Sequence, residues 1–112
     1  TDRNKYFIVL GKTADNKLIG FVVINSAINQ HLAPKLKDLH YPISVSKYPF
    51  LERNRFVYCG ELKEIDITIF SHRYHCQSFG KIAEDDMQLI IEAVIQSGNV
   101  PPKKLRKFGL IK

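Results

Sequence analysis

Apolar residues fall into short runs through the first 70 positions and into a helical stripe near the end of the chain. The runs at 6–10 and 18–24 are rich in aromatic and β-branched side chains, a composition typical of strands. A mostly polar segment at 12–17 separates them, and its length suits a hairpin connection. Because both runs are apolar nearly throughout, we expect other elements to cover both faces of this hairpin.

The middle of the chain carries weaker signals. Pro34 interrupts residues 26–40, which we predict to form a long loop with one helical turn. Pro42 cannot donate to a sheet ladder, so residues 41–45 are predicted to form an edge strand. Where aromatic residues cluster or apolar and polar side chains alternate, further strands are predicted at 55–59, at 65–70 and, with more ambiguity, within 71–80.

The clearest helix is predicted at 83–97. Acidic residues at 84–86 suit the first turn of a helix because of its dipole, and Gly98 follows the last turn, where glycine is favoured. The proline pair at 101–102 then predicts a short second helix at 103–108. The apolar residues of the first helix recur at the spacing of a single face: Met87, Ile90, Ile91, Val94 and Ile95.

Strands followed by helices predict an α+β fold, mainly β, in which a small barrel carries a C-terminal helix. The chain has 112 residues, which suits one domain spanning residues 1–112. Its 45% of apolar and 25% of charged residues are ordinary for a globular protein and argue against a disordered chain. No apolar run approaches the roughly 20 residues that a membrane-spanning helix needs.

Positive charge is concentrated at the end of the chain. The net charge is +6, from 17 lysines and arginines against 11 acids. Residues 99–112 hold five of these cations and no acid, so nearly all of the excess charge lies there. Such a segment favours a polyanion or an acidic protein as partner, although the solvated end of an ordinary helix looks the same.

Cysteine usage indicates a reducing compartment. The two cysteines, Cys59 and Cys76, are too few for a disulfide scaffold, and the first residues do not lead into a signal peptide. We therefore expect a cytoplasmic protein with two reduced thiols, with a disulfide or a metal pair as the alternative.

A cluster of potential zinc ligands lies at His72, His75 and Cys76. Zinc takes four ligands in tetrahedral geometry, so a distant residue such as Cys59 would have to complete the set. If the segment is a strand, the two histidines point to opposite faces. We expect neither a metal nor another cofactor.

Two further groups of residues suggest chemistry. Ser26 follows the second strand and has His31 and His40 nearby in sequence, which leaves a nucleophile and base open as a reading. Cations also flank aromatic residues in the segment 47–56, a combination found on surfaces that bind single-stranded RNA. The other reading places these rings in the core with the cations on the surface. The cations are Lys47, Arg53 and Arg55, and the rings are Tyr48, Phe50 and Phe56.

Several short motifs occur together in one order along nearly the whole chain. A strand ends in Asn25-Ser26, and a second helix opens with Val100-Pro101-Pro102. Between them lie Lys47-Tyr48-Pro49-Phe50-Leu51, the aromatic strand Arg55–Cys59, and Gly80-Lys81-Ile82 leading into the helix. In this order the chain resembles the PemK/MazF-like toxin superfamily, especially its stand-alone, phage- or plasmid-associated branch.

The resemblance implies a small SH3-like barrel with a C-terminal helix, often a homodimer, and metal-independent cleavage of single-stranded RNA within a toxin–antitoxin system. In the family, an arginine followed by proline in the first loop and a serine or threonine near the end of the next strand act on the phosphate. Ser26 matches the second position, whereas residues 12–17 contain neither arginine nor proline.

The predicted endoribonuclease site therefore has Ser26 at its centre. Lys12 or Lys17 would stabilise the phosphate, and His31 or His40 would act as the base. The predicted RNA-binding residues are Lys47, Arg53 and Arg55. The alternative is a non-catalytic interaction module of phage or plasmid origin that holds an antitoxin-like protein, which the missing loop arginine favours.

Overall fold

The computed structural model describes residues 6–28, 31, 34–74 and 79–112. Strands dominate the first half, and the longest helix lies in the second. In chain order the elements are β1 (Tyr6–Lys12), β2 (Leu18–Asn25), α1 (Pro34–Lys37), β3 (His40–Ile43), a 3-10 turn (Pro49–Leu51), β4 (Arg55–Tyr58), β5 (Lys63–Asp66), α2 (Ile67–Tyr74), α3 (Glu84–Gln96) and α4 (Pro102–Lys107).

The five strands form one antiparallel sheet with the order β1-β2-β4-β3. β2 is the shared strand: its first half pairs with β5 and its last two residues pair with β4. Within the described ranges no ladder joins β1 to β3, so these ladders form an open sheet. The predicted α+β class is confirmed, and the antiparallel sheet is compatible with the predicted mainly β fold.

Side chains of β2 alternate between two separate apolar clusters. Val22 and Ile24 belong to the larger cluster, which also contains residues of α3 and α4. Ile19 and Phe21 belong to a smaller one, closed by Phe70 of α2. Successive strand residues point to opposite faces, so α2 covers one face of the hairpin and α3 and α4 cover the other. The expectation that both faces are covered is confirmed.

Helix α3 packs through the face that the sequence indicates, with Ile90 and Val94 fully buried. Burying a side chain of this size contributes roughly 1.5–3 kcal/mol, so this stripe fixes the helix on the sheet. The predicted hairpin, the edge strand at Pro42 and both C-terminal helices are also confirmed. The single turn α1 is the only helix described in the predicted loop.

The strand predicted at 65–70 is wrong beyond its first two residues. β5 ends at Asp66, and residues 67–74 form α2. The side chain of Asp66 accepts hydrogen bonds from the backbone N–H groups of Thr68 and Ile69, at 2.8 and 3.2 Å. This is the geometry of a helix N-cap, and it ends the strand. The isoleucine alternation therefore does not mark a buried sheet face: Ile67 and Ile69 are 38% and 48% exposed.

The possible strand within 71–80 is corrected in its first part, where residues 71–74 continue α2. Residues 75–78 lie outside the described ranges. None of the helices described above is long and apolar enough to cross a membrane.

Candidate functional site

The basic end of the chain folds as a defined helix, α4. Pro102 starts it, as suits a residue without a backbone N–H. Gly109, at φ 75°, ends it: its N–H donates to Arg106, and the N–H of Leu110 donates to Leu105. These two bonds form a Schellman motif, in which glycine relieves the left-handed conformation. The cations of this segment are therefore presented on fixed backbone.

Helical periodicity sorts the side chains of α4 into an inner and an outer face. Leu105 and Phe108 are 3% and 2% exposed and belong to the main core. Lys103 and Arg106 lie one turn apart on the exposed side. We call the cations of this segment the α4 surface: Lys103, Lys104, Arg106, Lys107 and Lys112.

Two glycines of the β1–β2 hairpin make room for α4. A Cβ on Gly20 would lie 2.9 Å from the ring of Phe108, and a Cβ on Gly11 would lie 2.2 Å from the Phe108 carbonyl oxygen. Real Cβ atoms do not approach backbone oxygen so closely, so only glycine fits at position 11. The exposed Lys12 directly follows Gly11 in the sequence, and Gly11 is the residue that contacts the C-terminal end of α4.

One acid contacts α4 within the part of the chain that the structure describes. Glu64 of β5 binds Lys107 at 2.7 Å and Lys104 at 3.7 Å. The hydrogen bond from Lys107, more than the charge of the two lysines, lowers the pKa of the Glu64 carboxyl below its ordinary value despite partial burial. The outer cations Lys103 and Arg106 have no acidic partner among the described residues.

A second polar region lies between the end of β3, the start of β4 and the start of α3. It surrounds a cleft of about 310 Å³ lined by Pro42, Ile43, Ser44, Lys47, Asn54, Arg55, Phe56 and Asp86. We call it the β3–β4 cleft. Its volume is at the lower end of the range for ligand pockets.

Asp86 is the centre of a hydrogen-bond network in the β3–β4 cleft. Its carboxylate accepts from the hydroxyls of Tyr41, at 2.8 Å, and Tyr48, at 2.5 Å, and binds the Lys47 ammonium at 3.0 Å. The Tyr48 hydroxyl also accepts from the backbone N–H of Ala83. Together these contacts join the first turn of α3 to β3 and to the turn before the 3-10 helix.

The network shifts the ionisation of its members. Burial raises the pKa of the Asp86 carboxyl, but hydrogen bonds from Tyr48, Tyr41 and Lys47 outweigh burial and lower it overall. Burial and the bond to Asp86 raise the pKa of Tyr41 to about 12. Hydrogen bonds to Asp86 and Asp85 raise the pKa of Lys47. At neutral pH the network is therefore a carboxylate held by two phenols and an ammonium, which stabilises the fold.

Arg55 is buried and faces the interior. Only 6% of it is exposed. Its Nε donates to the carbonyl oxygen of Leu51 at 2.8 Å, and its guanidinium lies 4.9 Å from the centre of the Tyr6 ring. The nearest acid is Glu52, at 3.9 Å. The guanidinium is therefore held inside the protein by a carbonyl oxygen and a ring.

The three predicted RNA-binding cations therefore have different surroundings. Arg55 is buried, and Lys47 is bound by Asp85 and Asp86. Arg53 is exposed, with no ion pair among the described residues. Among the aromatic residues of this segment, Tyr48 is 7% exposed and belongs to the core, and Phe50 packs against that core.

The predicted catalytic residues do not lie together. Ser26 follows the end of β2, whereas Lys17 precedes its start and Lys12 ends the neighbouring strand. The separation along β2 is roughly 25–30 Å at the ordinary rise of a strand.

The two predicted histidine bases also lie on segments other than the one that holds Ser26. His40 lies on β3, with β4 between it and β2, at a lateral separation of roughly 10 Å. Its ring lies 5.0 Å from that of Tyr58. His31 is exposed in the segment before α1. No described contact joins a histidine to Ser26.

The structure describes only some of the residues that the sequence suggests as zinc ligands. His72 is exposed on α2, while His75 and Cys76 lie outside the described ranges. Cys59 is buried, and burial raises the pKa of its thiol to about 11, which disfavours the thiolate that binds metals. No group of three potential ligands is found in the residues that can be searched.

Sequence reasoning missed two important acids, Glu64 and Asp86. The position of Asp86 in the first turn of α3 indicates only an interaction with the helix dipole, and it gives no sign of two phenol partners 38 and 45 residues away. Glu64 lies next to an oppositely charged lysine in a short strand, and its true partners are 40 and 43 residues away.

These two regions, the α4 surface and the β3–β4 cleft, are the candidate sites that the described residues offer for a partner. Comparison of the chain with protein-family models, with curated proteins and with solved structures finds no match.

Proposed function

We propose that this domain binds single-stranded RNA through the α4 surface. The observation that carries the proposal is the placement of five cations on and just after one short, well-packed helix, of which Glu64 contacts two. Lysine and arginine on such a surface neutralise phosphates and release the counterions bound to a nucleic acid. The field of the segment also raises the encounter rate with a polyanion.

The charge selects a polyanion, and the choice of single-stranded RNA rests on the resemblance to the PemK/MazF-like superfamily. The same resemblance leads us to propose an SH3-like barrel. The two roles of β2 support it, because a strand that pairs with β5 at one end and β4 at the other belongs to a sheet that curls.

Cleavage of the bound RNA is a separate part of the proposal. The positions of Ser26, Lys12 and Lys17 give it no support, since they lie at opposite ends of β2. Incubation of a long single-stranded RNA with the protein and EDTA, beside Ser26→Ala, tests it. Discrete products that vanish in the variant would establish a metal-independent nuclease, and intact RNA at high protein excess would leave binding alone.

Binding is tested by fluorescence anisotropy with a labelled single-stranded RNA of mixed sequence, titrated at several NaCl concentrations. The variant Lys103→Ala/Arg106→Ala removes the two outer cations, and alanine suits a helix. We expect about tenfold weaker binding at low salt and a slope of log K against log salt that is smaller by about 1.4, the loss of two phosphate contacts.

The matched control is Lys35→Ala/Arg73→Ala. It removes one lysine and one arginine from exposed positions on α1 and α2, so it reproduces the change in net charge without touching α4. Equal losses in the two variants would show that only total charge matters and would overturn the α4 surface as the site. Wild-type protein without measurable binding at 50 mM NaCl would overturn the function itself.

A protein partner is the second candidate function, favoured by exposed apolar side chains on and around α2. Ile67 and Ile69 are 38% and 48% exposed, and Val9 of β1 is 45% exposed. Exposed apolar side chains mark a protein-interaction site where they form one contiguous patch, whereas single ones are ordinary. This function therefore requires the three side chains to form such a patch. Isolation from the host as a stoichiometric complex with an antitoxin-like protein, without nucleic acid, would favour this function.

A further inference from the structure

Glu64 of β5 contacts two lysines of the α4 surface from the side of the sheet. Lys104 and Lys107 are one helical turn apart and both point toward β5, where the Glu64 carboxylate lies 3.7 Å from one ammonium and 2.7 Å from the other. A single anion therefore sits where two cations converge, and a phosphate oxygen would find the same two donors there.

The position of α4 does not depend on this carboxylate. Leu105 and Phe108 are buried in the main core, and Leu110 packs against the same cluster. Gly11 and Gly20 leave the space that Phe108 occupies. These contacts hold the helix on the sheet, so Glu64 is free to have a role other than anchoring.

The ion pairs of Glu64 are open to exchange. The carboxylate is 33% exposed, and the side chains of Lys104 and Lys107 are 29% and 41% exposed. Ion pairs accessible to solvent contribute little to stability because water and salt screen them. A phosphate that approaches α4 can therefore replace the carboxylate without a large loss of folding free energy.

We propose that Glu64 is an internal competitor for RNA phosphate, which occupies the anion position of the Lys104–Lys107 pair and must leave it when a polyanion binds. The inference rests on the proposed function of the α4 surface and adds a regulating residue to it. It divides the four cations on the helix itself into two outer ones that are always available and two inner lysines whose availability depends on Glu64.

The central test is Glu64→Gln, compared with Glu61→Gln. Both variants remove one negative charge with little change of shape, and Glu61 is an exposed residue with no described ion pair. We expect Glu64→Gln to bind the labelled RNA roughly two- to fivefold more tightly than Glu61→Gln at low salt.

A double-mutant cycle separates competition from a structural role. If Glu64 holds Lys107 back, Lys107→Gln weakens RNA binding less in the wild-type background than in Glu64→Gln. A merely structural glutamate would leave the effect of Lys107→Gln the same in both. Thermal melting of each variant checks the fold, and Glu64→Asp against Glu61→Asp repeats the comparison if the amide variant loses its transition.

A phosphocellulose column provides a readout that does not need RNA binding. Elution of Glu64→Gln at higher NaCl than Glu61→Gln supports the inference even if RNA fails to bind, in which case the proposed function alone is lost. Elution and RNA affinity equal to those of Glu61→Gln, or weaker, would overturn the inference and leave the proposed function standing.

Discussion

The α4 surface and the β3–β4 cleft both contain basic residues, but they use them in opposite ways. In the cleft, Lys47 is bound by two aspartates and Arg55 is buried against a carbonyl oxygen and a ring. On α4, two cations have no acidic partner among the described residues and two share one glutamate. The two regions therefore differ in how far the fold leaves their positive charge uncompensated, and this difference is our reason for proposing α4 as the RNA site.

The largest expected effect is on stability, and it comes from the cleft. Asp86→Ala removes the acceptor of Tyr41, Tyr48 and Lys47. Partly buried donors are then left without a partner, so we expect a loss of about 3 kcal/mol in the free energy of unfolding. Urea denaturation measures it, and the melting temperature should fall by about 10 °C or more.

Asp85→Ala is the matched control for this substitution. It removes a neighbouring acid that also binds Lys47, but the Asp85 side chain is 73% exposed. A loss below about 0.5 kcal/mol is expected, as for most surface substitutions. Similar losses in the two variants would mean that the cleft network does not stabilise the fold.

A smaller effect is expected in acid. The pKa of Asp86 is lowered from its ordinary value of 3.8 in the folded protein. Its contribution to stability is therefore fully present above the unfolded-state pKa and is lost as the pH falls through the folded-state pKa. Below about pH 4, the urea midpoint should fall more steeply for the wild type than for Asp86→Asn, and parallel curves would contradict the assignment.

At alkaline pH the sign is reversed for Tyr41. Its pKa is raised to about 12, so the stability that its hydroxyl contributes is present below pH 10 and is lost as the pH rises toward 12. Tyr41→Phe should show a flatter decline of the urea midpoint over this range than the wild type does.

The smallest expected effect is that of Lys47 on RNA binding. Because two carboxylates already hold its ammonium, Lys47→Ala should change RNA affinity less than twofold, against about tenfold for the outer pair of α4. The anisotropy titration described above measures both. A larger loss for Lys47→Ala would move the RNA site to the β3–β4 cleft.

The accuracy of the sequence predictions depended on how local each signal was. The stripe of α3, the glycine that follows it and the prolines that open α4 act within one or two turns, and the structure confirms these predictions. The isoleucines of 65–70 were misinterpreted because alternation alone does not show which face is buried. Asp66 was the local signal for a helix start, and Phe70 is the residue of α2 that the sheet buries.

The candidate sites were predicted less well, because they depend on contacts between distant positions. The motif around Lys47, Arg53 and Arg55 places cations beside aromatic residues in the sequence. It does not show that Asp86, about 30–40 residues later, neutralises one of them, or that Tyr6 covers another. Likewise, the serine and the two lysines are close in a short hairpin sequence but lie at its opposite ends in space.

The sequence by itself determined the α+β class, the main hairpin, the amphipathic α3 and the concentration of charge after residue 98, because periodicity, turn residues and composition are local or additive properties. Only the tertiary structure decided which charges face solvent and which are compensated. Glu64 and Asp86 meet their lysines through strand pairing and helix packing, and the energy of a charge depends on the partners and the solvent that the fold places around it.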